Sequence, residues 1–192
     1  TMGYLKNTQV DVLSWTLGTD IGRMPDHQGG PGRATNMYCH DTEVGERFYD
    51  QEPPFLARSW YLLAQRVKQM IEEGNDPPQI LTEAAHKNDL DLFCSFRMND
   101  VHDGRFVERH ERLYGTKIPL GYPVFQKGRF FEENIQGYIC RQKREHPELL
   151  IGEQEGLTRI GSIAFDYAHE SVRAFRLALI EEACEKYNVD GV

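Results

Sequence analysis

A chain of 192 residues suits one domain with room for a substantial core. Its formal net charge is -8, with 30 acidic residues against 22 basic ones and no long block of like charge. That argues against a nucleic-acid partner, which needs a basic face. No apolar run approaches the roughly 20 residues of a membrane span, so no membrane partner is expected either.

The first predicted element is a strand over Gln9–Gly18, carried by Val10, Val12, Leu13, Trp15 and Leu17 and ended by Gly18. Residues 19–54 are long and aperiodic, with Gly-Gly-Pro-Gly at 29–32; a loop of that length is functional or disordered. A helix is expected over Phe55–Glu73, its stripe made of Trp60, Leu63, Val67, Met70 and Ile71. Gly74-Asn75 stops it, and a second helix runs from about Pro78 to Lys87. His86 in that helix reads as a packing or capping residue.

Leu90–Gly104 is the stretch around which the chain is organised. Leu92, Phe93, Cys94 and Phe96 form a short apolar run of the kind that makes a buried strand. Arg97, Asn99, Asp100, His102 and Asp103 follow within a few positions. Such groups are costly to desolvate unless they pair with one another or with a ligand. Alternation along the strand puts Phe93, Ser95 and Arg97 on one face and Leu92, Cys94 and Phe96 on the other. The wholly apolar face is expected to meet helices, which sends Arg97 to the mouth beside Asp100, Asp103 or Asp166. A ligand-binding cluster and a salt-bridged turn are both open at this point.

Tyr114–Gly128, rich in Gly, Pro and aromatics, reads as an excursion over that mouth, with Phe130 and Phe131 beyond it. A third strand is expected over Ser162–Tyr167, followed by Asp166, His169 and Glu170 at its polar end. Ser171–Tyr187 is the clearest helix, with Val172, Phe175, Leu179 and Ala183 as its stripe. Asn188–Val192 begins a further strand. Of the four cysteines, Cys94 and Cys184 are expected in the core and Cys39 as an exposed thiol; no CxxC pair points to zinc. Alternating strands and helices imply an α/β fold with a parallel sheet. There is no GxGxxG, P-loop or GxSxG, so neither a nucleotide cofactor nor a serine nucleophile is indicated.

Five segments together resemble the glycosyl-hydrolase-like (β/α)8-barrel proteins often labelled family-10-like. They are Ala85-His86-Lys87-Asn88-Asp89-Leu90, Ser95 through Asp103, His146-Pro147-Glu148, Phe165 through Arg173, and Tyr187-Asn188-Val189-Asp190-Gly191-Val192. The resemblance runs from about residue 55 to the end. It implies a TIM-barrel-type α/β domain over residues 1–192, incomplete here at three to four βα units, with the long loop at 19–54. In that family the Asp-Gly-Val segment leads into a strand carrying a further acid, which lies past Val192. A chain of this kind is expected to be inactive alone and to associate with itself or with its missing half.

The implied function is hydrolysis of O-glycosidic bonds of a carbohydrate by paired carboxylates, with no cofactor. Asp100, Asp103 and Asp166 are the catalytic candidates; Trp15, Arg97, Asn99, His102 and His169 are the substrate-binding candidates. Two alternatives stand beside it. One is a non-catalytic carbohydrate-binding barrel. The other is a metal-dependent hydrolase, with Asp100, His102, Asp103 and His169 as ligands, although no HxH or HExxH pair supports it.

Overall fold

The computed structural model describes residues 2–6, 8–18, 36–50, 58–101, 111, 115, 125–127, 132–134 and 139–192. After a 3-10 turn at Met2–Leu5 come strands β1 (Val12–Thr16), β2 (Met37–Tyr38) and β3 (Glu46–Arg47) and a 3-10 turn at Phe48–Asp50. Helices α1 (Arg58–Glu72) and α2 (Pro77–His86) lead into β4 (Asp91–Ser95). Beyond it lie β5 (Phe125–Lys127), β6 (Glu132–Asn134), α3 (Arg141–Glu145), a 3-10 turn at Pro147–Leu149, α4 (Arg159–Ser162) and α5 (Glu170–Tyr187).

β1 and β4 pair in parallel, from Val12↔Asp91 to Thr16↔Ser95. α1 and α2 form the crossover between them, as a parallel pair requires. On the other side of β4 the chain after α5 adds a further parallel bridge, Phe93↔Gly191. Asp190 N–H donates to the Leu92 carbonyl (2.9 Å) and Cys94 N–H to the Gly191 carbonyl (2.8 Å). The Asp190 carboxylate accepts the Leu92 N–H (2.8 Å) and meets His86 Nε2 (2.8 Å), so His86 ties α2 to this junction.

Burial along β4 alternates strictly, exposed at Asp91, Phe93 and Ser95 and buried at Leu92 and Cys94. The buried face packs on helices. Leu92 clusters with Ala85 of α2, and Cys94 with Ala183 and Tyr187 of α5. Burying a leucine of this kind contributes about 2–3 kcal/mol. The opposite face keeps Val12 and Phe93 partly exposed. There the Phe93 ring lies across Gly191, where an added Cβ would come within 2.7 Å of ring carbon Cε2. A larger residue there would have to push the Phe93 ring aside.

Local chemistry sets the helix ends. α1 stops at Gly74, whose φ of +81° is a left-handed cap, with Gly74 N–H donating to the Ile71 carbonyl (2.9 Å) and Asn75 N–H to Met70 (2.8 Å). Pro77 and Pro78 open α2, where their missing N–H groups cost nothing. Asn188, with φ +48°, ends α5 and turns the chain back to the sheet.

Several expectations need correction. Residues 162–167 are not a strand of the parallel sheet. Thr158 caps a single helical turn by accepting the Gly161 N–H (3.2 Å), and Phe165 makes one antiparallel bridge to Leu150. Ile163 and Phe165 are apolar because they turn into the main core with Met37, Phe48 and Val172, and Ala164 between them is also buried. Cys39 is half-buried against that core, and burial pushes its thiol up to about 12. Cys184 is exposed. Within the long aperiodic stretch, residues 36–50 are packed rather than loose, with Met37, Tyr38, Phe48 and Tyr49 buried. Met70 faces out, whereas Ala64, Val67 and Ile71 meet the core. The rest of that stretch, the side chain of Trp60, and Tyr114, Tyr122, Phe130 and Phe131 lie outside the described residues.

Candidate functional site

β1 and β4 both finish at one end of the sheet, and a cleft opens there. Thr16, Leu17 and Gly18 supply its β1 side, and Phe96 and Met98 its β4 side. Its polar lining is Asn36, Tyr38, Arg97, Asp100 and Arg176. The empty space is about 420 Å³ with the open solvent at the mouth included. The room inside for a water-sized sphere is about 20 Å³, enough for one or two waters or for the oxygens of one small anion.

The alternation of β4 delivers Arg97 to this mouth, where Nη1 meets Asp100 Oδ2 at 3.0 Å. The Asp100 carbonyl accepts from Asn36 Nδ2 (3.2 Å) and from Lys143 Nζ (3.2 Å), which holds the loop after β4 against α3. Lys143 is fully buried and lies 5.4 Å from the centroid of Phe165.

Asn99 is not part of the cleft lining. Its Nδ2 donates to the Phe165 carbonyl (3.0 Å) and its Oδ1 accepts the Phe165 N–H (3.0 Å), a side chain standing in for a strand. Tyr167 Oη donates to the Met98 carbonyl nearby. The segment carrying Asp166 is thereby stitched to the loop carrying Asp100. Asp166 itself accepts the Ala168 N–H (2.8 Å) in a turn that leads into α5, and it is not part of the cleft lining. His169 follows it at the N-cap of α5, exposed and with no capping bond from its side chain. Trp15 pairs across to Cys94, so alternation puts it on the helix side of the sheet, half-exposed and off the cleft. His102 and Asp103 lie outside the described residues.

Reading the sequence missed Arg176. It sits on the buried face of α5 with Val172, Leu179, Ala183 and Tyr187, only 4% exposed. Its Nη1 donates to Tyr38 Oη (3.2 Å) and its Nη2 to Asn36 Oδ1; its Nε has no partner. The guanidinium lies 5.0 Å from the Phe165 ring centroid and 5.5 Å from that of Phe175. Burial pushes the Tyr38 hydroxyl up to about 12, against the pull of Arg176, so it stays protonated. The available signal was a basic residue four positions after Val172 and three before Leu179, on the apolar stripe.

A second polar cluster lies where the 36–50 segment crosses α5. Asp76 accepts the Tyr187 hydroxyl (2.7 Å) and the Asp41 N–H (3.3 Å). Burial raises the Asp76 carboxyl above its ordinary value, and the Tyr187 hydrogen bond opposes it. Asp41 pairs with Lys186 (3.0 Å) and Arg47 (3.3 Å). Glu182 accepts from Thr42 Oγ1 (2.5 Å), Glu43 N–H (2.6 Å) and Val44 N–H (3.2 Å). His40 sits edge-on to Tyr38 and Tyr187, and burial lowers its imidazole from 6.5 to about 4.

No protein-family model matches the chain, and no curated protein matches it. Among the described residues no group of three or more His, Cys, Asp or Glu side chains is gathered to hold a metal ion. No described helix is long and apolar enough to cross a membrane.

Proposed function

We propose that the chain belongs to a glycoside hydrolase of the (β/α)8-barrel type, acting on a carbohydrate from the cleft at the carboxyl end of its parallel strands. The observation that carries this reading is the convergence of β1 and β4 on a cleft lined by Arg97 and Asp100. In folds that alternate parallel strands with helices, ligands bind at that end. Arg97 holds Asp100 in an ion pair at the mouth, where a carboxylate could serve as nucleophile or base. Asp166 and Asp103 are the candidates for the partner acid. Release of nitrophenol from a panel of aryl glycosides by the full-length protein, this chain together with the half expected to complete the barrel, tests the reading. Asp100→Asn is expected to cut the rate by about 100-fold or more without loss of fold. No release from any glycoside, or full activity in both Asp100→Asn and Asp166→Asn, sinks it.

One observation favours a non-catalytic carbohydrate-binding barrel instead. Of the described candidate carboxylates, only Asp100 lines the cleft, because Asp166 is engaged in a turn. That reading expects sugar binding by calorimetry with no turnover.

A further inference from the structure

Arg176 is buried yet has no carboxylate within ion-pairing distance among the described residues. Its two acceptors, Tyr38 Oη and Asn36 Oδ1, are neutral, and its Nε–H is unmatched. A guanidinium has more donors than these acceptors use. A buried cation is costly unless an opposite charge compensates it. The rings of Phe165 and Phe175 supply part of that compensation. Lys143 Nζ lies over the same Phe165 ring, so that ring is shared between two cations. The carboxylate lining the cleft, Asp100, already faces Arg97. This positive spot stands on a chain whose net charge is -8.

We infer that the cleft receives an anionic group, and that Arg176 is its anchor. The inner space suits the oxygens of one small anion and not a whole ring. Arginine matches a carboxylate in a planar, two-point contact. Resting on the carbohydrate reading above, the ligand class is an acidic sugar, with its carboxylate on Arg176 and its ring toward Arg97 at the mouth. A neutral sugar would leave the buried charge uncompensated.

Titration calorimetry and thermal shift with glucuronate, glucose and inorganic phosphate, at constant ionic strength, test this. Wild-type protein is expected to bind glucuronate at least about tenfold more tightly than glucose, and Arg176→Gln to lose that preference. Asn36→Asp offers a second test, because it places a carboxylate beside Arg176 and fills the site from within. It is expected to abolish the glucuronate shift in a folded protein. Equal affinity for glucose and glucuronate in the wild type, or an unchanged preference in Arg176→Gln, overturns the inference. Phosphate binding as tight as glucuronate overturns the acidic-sugar assignment. The two proposals fail separately. Hydrolysis of neutral aryl glycosides without a glucuronate preference keeps the hydrolase and removes the anchor. Glucuronate binding lost in Arg176→Gln, with no glycoside cleaved, keeps the anchor and removes the hydrolase.

Discussion

Two polar clusters flank the face of α5, and they differ in what is left over. Around Asp76, Asp41 and Glu182 the carboxylates meet hydroxyls, backbone N–H groups and the cations Lys186 and Arg47. Around Arg176 a buried cation meets neutral acceptors and keeps an unmatched N–H beside an open cleft. Burial of polar groups is common to both. Unspent hydrogen-bonding capacity next to space marks only the second as a place for a ligand, and the first reads as a clamp.

The largest effect expected from this contrast is on the clamp, as a pH dependence. The unfolded chain protonates His40 near 6.5, and the folded chain resists until about 4. Stability from this residue is therefore complete above 6.5 and is lost as pH falls toward 4, by on the order of 3 kcal/mol. Asp76 has the opposite sign. Its raised pKa lets the folded state take a proton earlier, which relieves a cost as pH falls through that value. Calorimetric melting between pH 7 and 4 should show the His40 loss in the wild type. The fall should be clearly smaller in His40→Gln, where only the carboxylates with lowered pKa, such as Asp41 beside Lys186, still lose stability in acid. The same loss in both proteins would mean that the clamp does not set the acid limb.

Asn99→Ala is next. It leaves the N–H and carbonyl of buried Phe165 unpaired under the two cations, at a cost of about 2 kcal/mol, or roughly 4–8 °C in Tm. A change confined to ligand affinity, with Tm intact, would move Asn99 back among the binding residues. Tyr187→Phe removes one hydrogen bond to Asp76 from the clamp and should cost about 1–2 kcal/mol in denaturant unfolding, with sugar binding unaltered. Arg97→Ala should move stability least, by under about 1 kcal/mol, because the pair with Asp100 is part-exposed. It should still weaken sugar binding by about tenfold. A large fall in Tm instead would make the mouth a scaffold and erase the contrast.

The parts of this arrangement visible in the sequence were the local ones. The Leu92–Cys94–Phe96 alternation foretold which face of β4 meets helices, and it brought Arg97 to the mouth beside Asp100. The helices over 58–72, 77–86 and 170–187 followed from periodicity and from their Gly, Pro and Asn stops. The failures had physical causes too. The run Ile163-Ala164-Phe165 has the composition of a strand, but burial in a turn demands the same composition. Asn36 and Lys143 reach Asp100 from 64 and 43 residues away, a juxtaposition that no local pattern encodes. Arg176 was legible, yet Phe175 satisfied the apolar stripe so well that the charge beside it passed unnoticed.

The register of the sheet also sets a timetable for the nascent chain. Val12 has no partner until Asp91 has been made, and Phe93 none on its other side until Gly191 follows. At a synthesis rate of roughly 5–20 residues per second, the first strand waits about 4–16 seconds with its edge unpaired. Contacts so distant along the chain make folding slow, because a long loop must close before each edge gains its hydrogen bonds. Until then the unpaired backbone edge of Val12–Thr16 is an adhesive surface. The ribosome-bound form is accordingly the stage at which holdase chaperones have most to protect.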